Sequence, residues 1–255
     1  MGKSLIRLFR PSGAKIQVCS RDPERAEDAA KKLGTSYCTL EEAFLSDVLI
    51  VSIPISEIVN TSLTAIDRMK PKSLLIDVSS VKTGITDRIL EHLPHKIEYL
   101  SIHPLFGPTI ETFRGENILL IPARTGPRSK SVINFFEEIG LSITEVGVDD
   151  HDRFMAVIQV LHHFGLLSLG VSLIENLNSK IDERFYTSLF RRTLNQLESI
   201  IGNLPTIIEI QRFNPYAQWA RLQLLEYNHF LKDFNKEGLE KIEKSFKKLH
   251  SRMSS

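Results

Sequence analysis

The chain has 255 residues, 42% of them hydrophobic and 25% charged, which fits an ordinary globular protein and excludes a disordered or collagenous one. Lys and Arg total 32 against 31 Asp and Glu, so the formal charge is +1, and neither nucleic acid nor an anionic membrane finds an electrostatic footprint. At the usual ~100–200 residues per domain, the length accommodates about two.

The first residues, Met1-Gly2-Lys3-Ser4-Leu5-Ile6, read as the last glycine of a phosphate-binding loop running into its helix, with Gly13 as the following turn. The strand and earlier glycines of such a unit are expected upstream of residue 1, roughly a dozen residues, the size of a strand plus a tight turn. A strand at 16–19 then ends in Ser20-Arg21-Asp22. Asp22 has the chemistry to cap a helix at 23–33, with Pro23 at its first position. Ser20 and Arg21 suit the 2′-phosphate of a dinucleotide, the guanidinium as a bidentate partner, which favours NADP over NAD.

Strands follow at 48–53, 73–77, 97–103, 117–121 and 141–146, with helices at 57–69, 82–92 and 128–139 between them. Strand–helix alternation predicts a mostly parallel, doubly wound sheet. The runs at 48–53 and 74–76 are apolar without alternation, as strands buried on both faces are. After Asp149 helical periodicity takes over. Residues 154–177 are apolar on most of their circumference, which predicts a helix buried in a bundle or a dimer core. Pro205 and Pro215 punctuate later helices. The tail, 236–253, sets Leu239, Ile242, Phe246 and Leu249 at helical spacing within a solvated Lys/Glu face. The expected class is an α/β Rossmann-like domain, 1–147, followed by an all-α substrate-binding and dimerisation domain, 148–255.

The longest strongly apolar run, 164–174, reads as too short to span a bilayer, and the start lacks the apolar core of a signal peptide. Cys19 and Cys38 read as two reduced thiols. A cytoplasmic location is expected, with no membrane or nucleic-acid partner. No His/Cys cluster has metal-ligand spacing.

Three segments place chemistry at strand ends, where a doubly wound sheet binds its ligand. Asp77-Val78-Ser79-Ser80-Val81-Lys82 brings hydroxyls and a lysine, although Ser79 or Ser80 could equally cap the next helix. His103-Pro104-Leu105-Phe106-Gly107-Pro108 holds an imidazole in a stiff turn, and a neutral histidine there can take a proton from a substrate hydroxyl near pH 7. His151-Asp152 precedes Gln159 and His163, which lie four apart on one helix face. His92, His95, His229 and His250 read as surface residues.

Together these segments resemble the prephenate/arogenate dehydrogenase family, from Met1 through about Leu231, with Ile210-Gln211 and Asn214-Pro215 as a further match. The resemblance implies oxidative decarboxylation of prephenate to 4-hydroxyphenylpyruvate with reduction of NADP or NAD, in tyrosine biosynthesis. It assigns His103 as acceptor and general base at the ring hydroxyl, with Ser80 bonded to that hydroxyl or orienting His103. It places His163, with Gln159 one turn earlier, on the substrate's carboxylate side. Gly2, Ser20, Arg21, Ser79 and Lys82 fall on the cofactor side, and a homodimer is implied.

One departure stands out. Relatives carry a Gly-Arg pair whose arginine meets a substrate carboxylate, and this chain has Glu198-Ser199 there. Arg191 and Arg192, about two turns earlier, could compensate. Alternatively the substrate is arogenate, whose side-chain amino group an acid such as Glu198 favours. A reading of another class is a catalytically silent dimeric relative that binds a ligand. Another β-hydroxyacid-type dehydrogenase fits the His-Pro-x-Phe-Gly-Pro turn poorly.

Overall fold

The computed structural model describes residues 1–107, 110–176 and 182–253; Pro108 of the expected turn and Leu177 of the expected helix lie outside them. Two compact units divide the chain, Met1–Met155 and Ala156–Ser255. The division falls after the expected border at 147/148, because the helix Val148–Met155 buries His151, Asp152 and Met155 and so stays with the first unit.

The first unit opens on α1 (Gly2–Phe9), whose chain then turns at Gly13 with φ +72°. Short strands β1 (Gln17–Val18) and β2 (Ser36–Tyr37) pair in parallel as a sheet of their own. Five strands form the main sheet in chain order: β3 (Val48–Val51), β4 (Leu74–Asp77), β5 (Glu98–Pro104), β6 (Asn117–Arg124) and β7 (Ser142–Glu145). Only the β5–β6 pairing is antiparallel. Helices α2 (Pro23–Leu33), α3 (Leu40–Phe44), α4 (Ile55–Ile66), α5 (Thr86–His92), α6 (Pro127–Glu138) and α7 (Val148–Met155) complete the unit.

Local chemistry explains most borders. Asp22 accepts from the Arg25 N–H at 3.1 Å and Pro23 opens α2, as its sequence predicts. The short α3, not anticipated, is nucleated by a capping box between Thr39 and Glu42. Helix α5 starts four residues later than expected, because Gly84 at φ +74° takes a left-handed conformation that no helix continues through. β4 is buried at every position, as its apolar run predicts; β3, expected to be buried on both faces, instead alternates half-buried and buried residues, and β5 is buried throughout although its sequence mixes polar and apolar residues. Leu5 and Leu8 of α1, Ile76 of β4, Ile102 of β5, Leu120 of β6 and Phe136 of α6 lie in one core cluster.

The second unit is helical throughout its described residues: a π-helical segment Ala156–Leu161, then α8 (His162–Asn176), α9 (Ser188–Gly202), α10 (Leu204–Phe213), α11 (Ala217–Leu231) and α12 (Lys236–Met253), with a 3₁₀ turn at Glu183–Phe185. Pro205 sits in the first turn of α10, and Pro215 separates α10 from α11. The apolar run at 164–174 belongs to a longer element than its sequence suggests. Helical structure continues from Val148 to Asn176, 29 residues at mean hydropathy 1.7, long and apolar enough by length and composition to cross a membrane. The correction arises because the π segment carries the helix on without a break. Nor is α8 buried in the bundle of its own chain, one of the two settings that its composition predicts: none of its residues is buried there.

Candidate active site

The chemistry of the first unit gathers where β4 and β5 end. Asp77 closes β4, and the loop after it folds back on the carboxylate. Ser79 N–H donates to Asp77 Oδ1 at 3.0 Å, and the Tyr99 hydroxyl donates to Oδ2 at 2.7 Å. Lys82 is fully buried, and its ammonium donates to Asp77 Oδ1 at 3.0 Å, Ser79 Oγ at 3.2 Å and the Ile102 carbonyl at 2.8 Å. Those three acceptors match the three N–H bonds of an ammonium. Burial alone would raise the Asp77 pKa, but Lys82 and the surrounding hydroxyls outweigh it and hold the carboxyl below its ordinary value. Lys82 therefore pins the backbone of β5 one residue before His103.

The same loop holds a second carboxylate. Asp152 of α7 accepts from the Lys82 N–H at 3.0 and 3.2 Å and from the Thr83 N–H at 2.8 Å. Despite burial, these bonds and the one to His151 keep its pKa below the usual carboxylate range. His151 Nδ1 lies 2.8 Å from Asp152 Oδ1, and His151 Nε2 lies 2.9 Å from His103 Nδ1. These contacts assign the tautomers. An ionised Asp152 requires a proton on His151 Nδ1, so His151 Nε2 carries a lone pair. His103 Nδ1–H then donates to that lone pair, and His103 Nε2 is left as the acceptor nitrogen. Burial, then His151, then Lys82 push the His103 pKa well below its ordinary value, so the ring stays neutral near pH 7. A neutral imidazole backed by a histidine and a carboxylate has the chemistry to accept a proton.

The other predicted residues are distributed as follows. Ser80 is half-buried beside this network, with no side-chain hydrogen bond among the described residues. Ser79 and Lys82, expected on the cofactor side, turn their polar atoms into the protein. The physical reason is Asp77, a buried charge that must be paired where it stands. At the other strand ends, Gly2 opens α1, whose first turn contains no acidic residue and displays Lys3. Ser20 Oγ accepts from the Asp22 N–H at 3.3 Å, and Arg21 is 76% exposed, 3.4 Å from Glu57. A helix start free of acids, a hydroxyl and an exposed guanidinium are a donor set that fits a dinucleotide's phosphates.

In the second unit Gln159 lies in the π segment and His163 in the first turn of α8. His163 Nδ1 is buried without a hydrogen-bond partner among the described residues. Burial and the adjacent His162 push its pKa down. Arg191 donates to the Glu183 carbonyl at 3.1 Å and lies 5.4 Å from the Tyr186 ring, whereas Arg192 is exposed. His151 received no role from the sequence. Its signal was the His-Asp dipeptide at a helix start, but its partner His103 is 48 positions away.

The model of the family described as prephenate dehydrogenase, nucleotide-binding domain, matches residues 5–145. A probable arogenate/prephenate dehydrogenase from Methanocaldococcus jannaschii is 27% identical over 96% of this chain and 57% of its own length. Arogenate dehydrogenase 1 from Arabidopsis thaliana is 29% identical over 69% of this chain and 29% of its own. The Haemophilus influenzae T-protein is 30% identical over 68% and 42%. The chain thus spans about half the length, or less, of these curated relatives. Among solved structures, the prephenate dehydrogenase of A. aeolicus, crystallised with hydroxyphenyl propionate and NAD+, superposes with a TM-score of 0.75 at 19% identity, over 98% of this chain and 94% of that one. Synechocystis arogenate dehydrogenase gives 0.68 at 19%, over 99% and 96%. These superpositions show a shared architecture, a Rossmann-like domain followed by a helical one. With the nucleotide-binding family model covering more than half of its residues, the chain belongs to the prephenate dehydrogenase family.

Proposed function

We propose that the protein is a prephenate dehydrogenase, an oxidoreductase that removes a hydride from C4 of prephenate while the ring carboxylate leaves as CO2. The observation that carries this reading is the His103–His151–Asp152 chain, which supports a neutral His103 oriented by its neighbours. NADP or NAD, when bound, would supply the hydride acceptor. The residues proposed to hold the dinucleotide are Gly2 at the start of α1, with Ser20 and Arg21 at the end of β1.

His103 Nε2 accepts the hydrogen bond of the C4 hydroxyl and takes up its developing positive charge as C4–H breaks. The electron pair of the departing carboxylate enters the ring, which becomes aromatic. The proton returns to the oxygen of 4-hydroxyphenylpyruvate, so atoms and charge balance with one CO2 released and one cofactor reduced. His151 and Asp152 hold the tautomer with the proton on His103 Nδ1. The ring's gain of aromaticity supplies driving force, so alignment is the main task left to the protein. His163 and Gln159 are assigned to the substrate's carboxylate side, and the helical unit to homodimer formation.

A second substrate reading, arogenate, is favoured by Glu198, an exposed acid where relatives carry glycine before their arginine. The test is an assay of the protein with prephenate and arogenate against both NADP and NAD, with product identification. Formation of 4-hydroxyphenylpyruvate supports the first reading and formation of tyrosine the second. No reduction of either cofactor with either substrate, alongside measurable cofactor binding, overturns both in favour of a silent ligand-binding relative.

A further inference from the structure

The π segment Ala156–Leu161 opens the second unit, and it is held from outside its own helix. A π turn closes its hydrogen-bonded ring one residue later than an α turn and occurs mostly as a short insertion, often beside a functional group. Val160 is fully buried in this segment, and its carbonyl accepts from Gln211 Nε2 of α10 at 2.8 Å. Gln159 lies one residue before that carbonyl, and His163 lies three residues after it.

Gln211 is itself oriented from α11. Arg221 Nη1 donates to the Gln211 backbone carbonyl at 2.7 Å and to Gln211 Oε1 at 3.1 Å. A guanidinium only donates, so it fixes the amide oxygen toward Arg221 and leaves the amide NH2 for Val160. The backbone carbonyl it also takes belongs to the last turn of α10, where helix carbonyls lack partners of their own. The corner between the two helices brings these groups together. Asn214 is buried there and its Oδ1 accepts from the Tyr216 N–H at 2.9 Å, a local bond that makes a turn, while Pro215 cannot continue α10. The result is a chain of bonds, Arg221 to Gln211 to Val160, that ends on the turn before His163.

We infer that Gln211, oriented by Arg221, is a positioning residue that keeps the π turn in place and so sets the direction of His163 at the substrate's carboxylate side. This rests on the reading of His163 as substrate-binding and adds the residues that aim it. A segment that reverted to the α pattern would lose the extra residue of its turn, and the helix after it would rotate by roughly 100°, the step of one residue. His163 Nδ1, buried without a hydrogen-bond partner among the described residues, would turn with it.

The test measures binding of prephenate and of arogenate to the full chain by titration calorimetry, with NADP and NAD binding as controls. Gln211→Met keeps the length of the side chain and removes its polar groups. It is expected to weaken the bound acid about tenfold, the size of one lost hydrogen bond, with dinucleotide affinity and helical circular dichroism unchanged. Arg221→Met is expected to match it. Arg221→Lys, which keeps a donor for the Gln211 carbonyls, is expected to stay within about threefold of wild type. In a His163→Ala background, Gln211→Met is expected to add less than about twofold, because the group it acts through is gone. The same loss in both backgrounds would mean a general structural effect and overturn the positioning role, as would full affinity in Gln211→Met alone. Wild-type affinity in His163→Ala, or a wild type that binds neither acid, would overturn the reading of His163 itself.

Discussion

The buried charges of the first unit and the exposed apolar helices of the second solve opposite problems. Around β4 and β5, Asp77, Lys82 and Asp152 are each withdrawn from water and answered within one unit. In the second unit Val171 is 60% exposed, Ile174 69% and Ile201 72%. Such surface is costly to leave in water, by about 25 cal/mol per Å². The first unit is organised by polar satisfaction, whereas the second keeps much apolar surface exposed.

The sharpest way to break the contrast is to unpair the first network. Lys82→Met leaves Asp77 buried without its cation, which should cost about 3–5 kcal/mol of stability. Denaturant unfolding measures it; a loss below about 1 kcal/mol would mean that water reaches Asp77. Titration gives a smaller effect. His103 and His151 both have folded pKa values below their ordinary 6.5, burial being the largest cause in each. The unfolded chain therefore binds more protons below about pH 6.5, so stability falls as pH drops through that window, by up to about 1.4 kcal/mol per unit for each ring. His103→Asn should flatten this limb, as urea midpoints between pH 7 and pH 5 would reveal. The lowered Asp77 and Asp152 values act in a separate window, where their stabilisation is lost only as pH falls below about 3.8. The smallest effect belongs to the second unit: Arg192→Ala, at an exposed position, should change stability by no more than about 0.5 kcal/mol. A larger loss would give that surface a structural role.

Much of this contrast is legible in sequence where the cause is local. Asp22-Pro23 announces α2, Gly13 its turn, and the apolar run at 74–76 predicts a strand buried on both faces. The position of His103 at the end of β5 follows from the same reasoning. What sequence hides is pairing across distance. Lys82 looks like a ligand-binding lysine until Asp77 is seen five residues back and the Ile102 carbonyl twenty ahead. Ser79 turns inward because its hydroxyl bonds to Asp77 and accepts from the Lys82 ammonium. The His103–His151 contact depends on how α7 returns to the sheet, which no spacing encodes.

The central claim is that His103 accepts the proton of the substrate hydroxyl during hydride removal. Its most direct test is steady-state reduction of NADP or NAD by prephenate, comparing wild type with His103→Asn. The account predicts a fall in kcat of ~10²-fold or more with little change in KM. Equal turnover in the two proteins would contradict it.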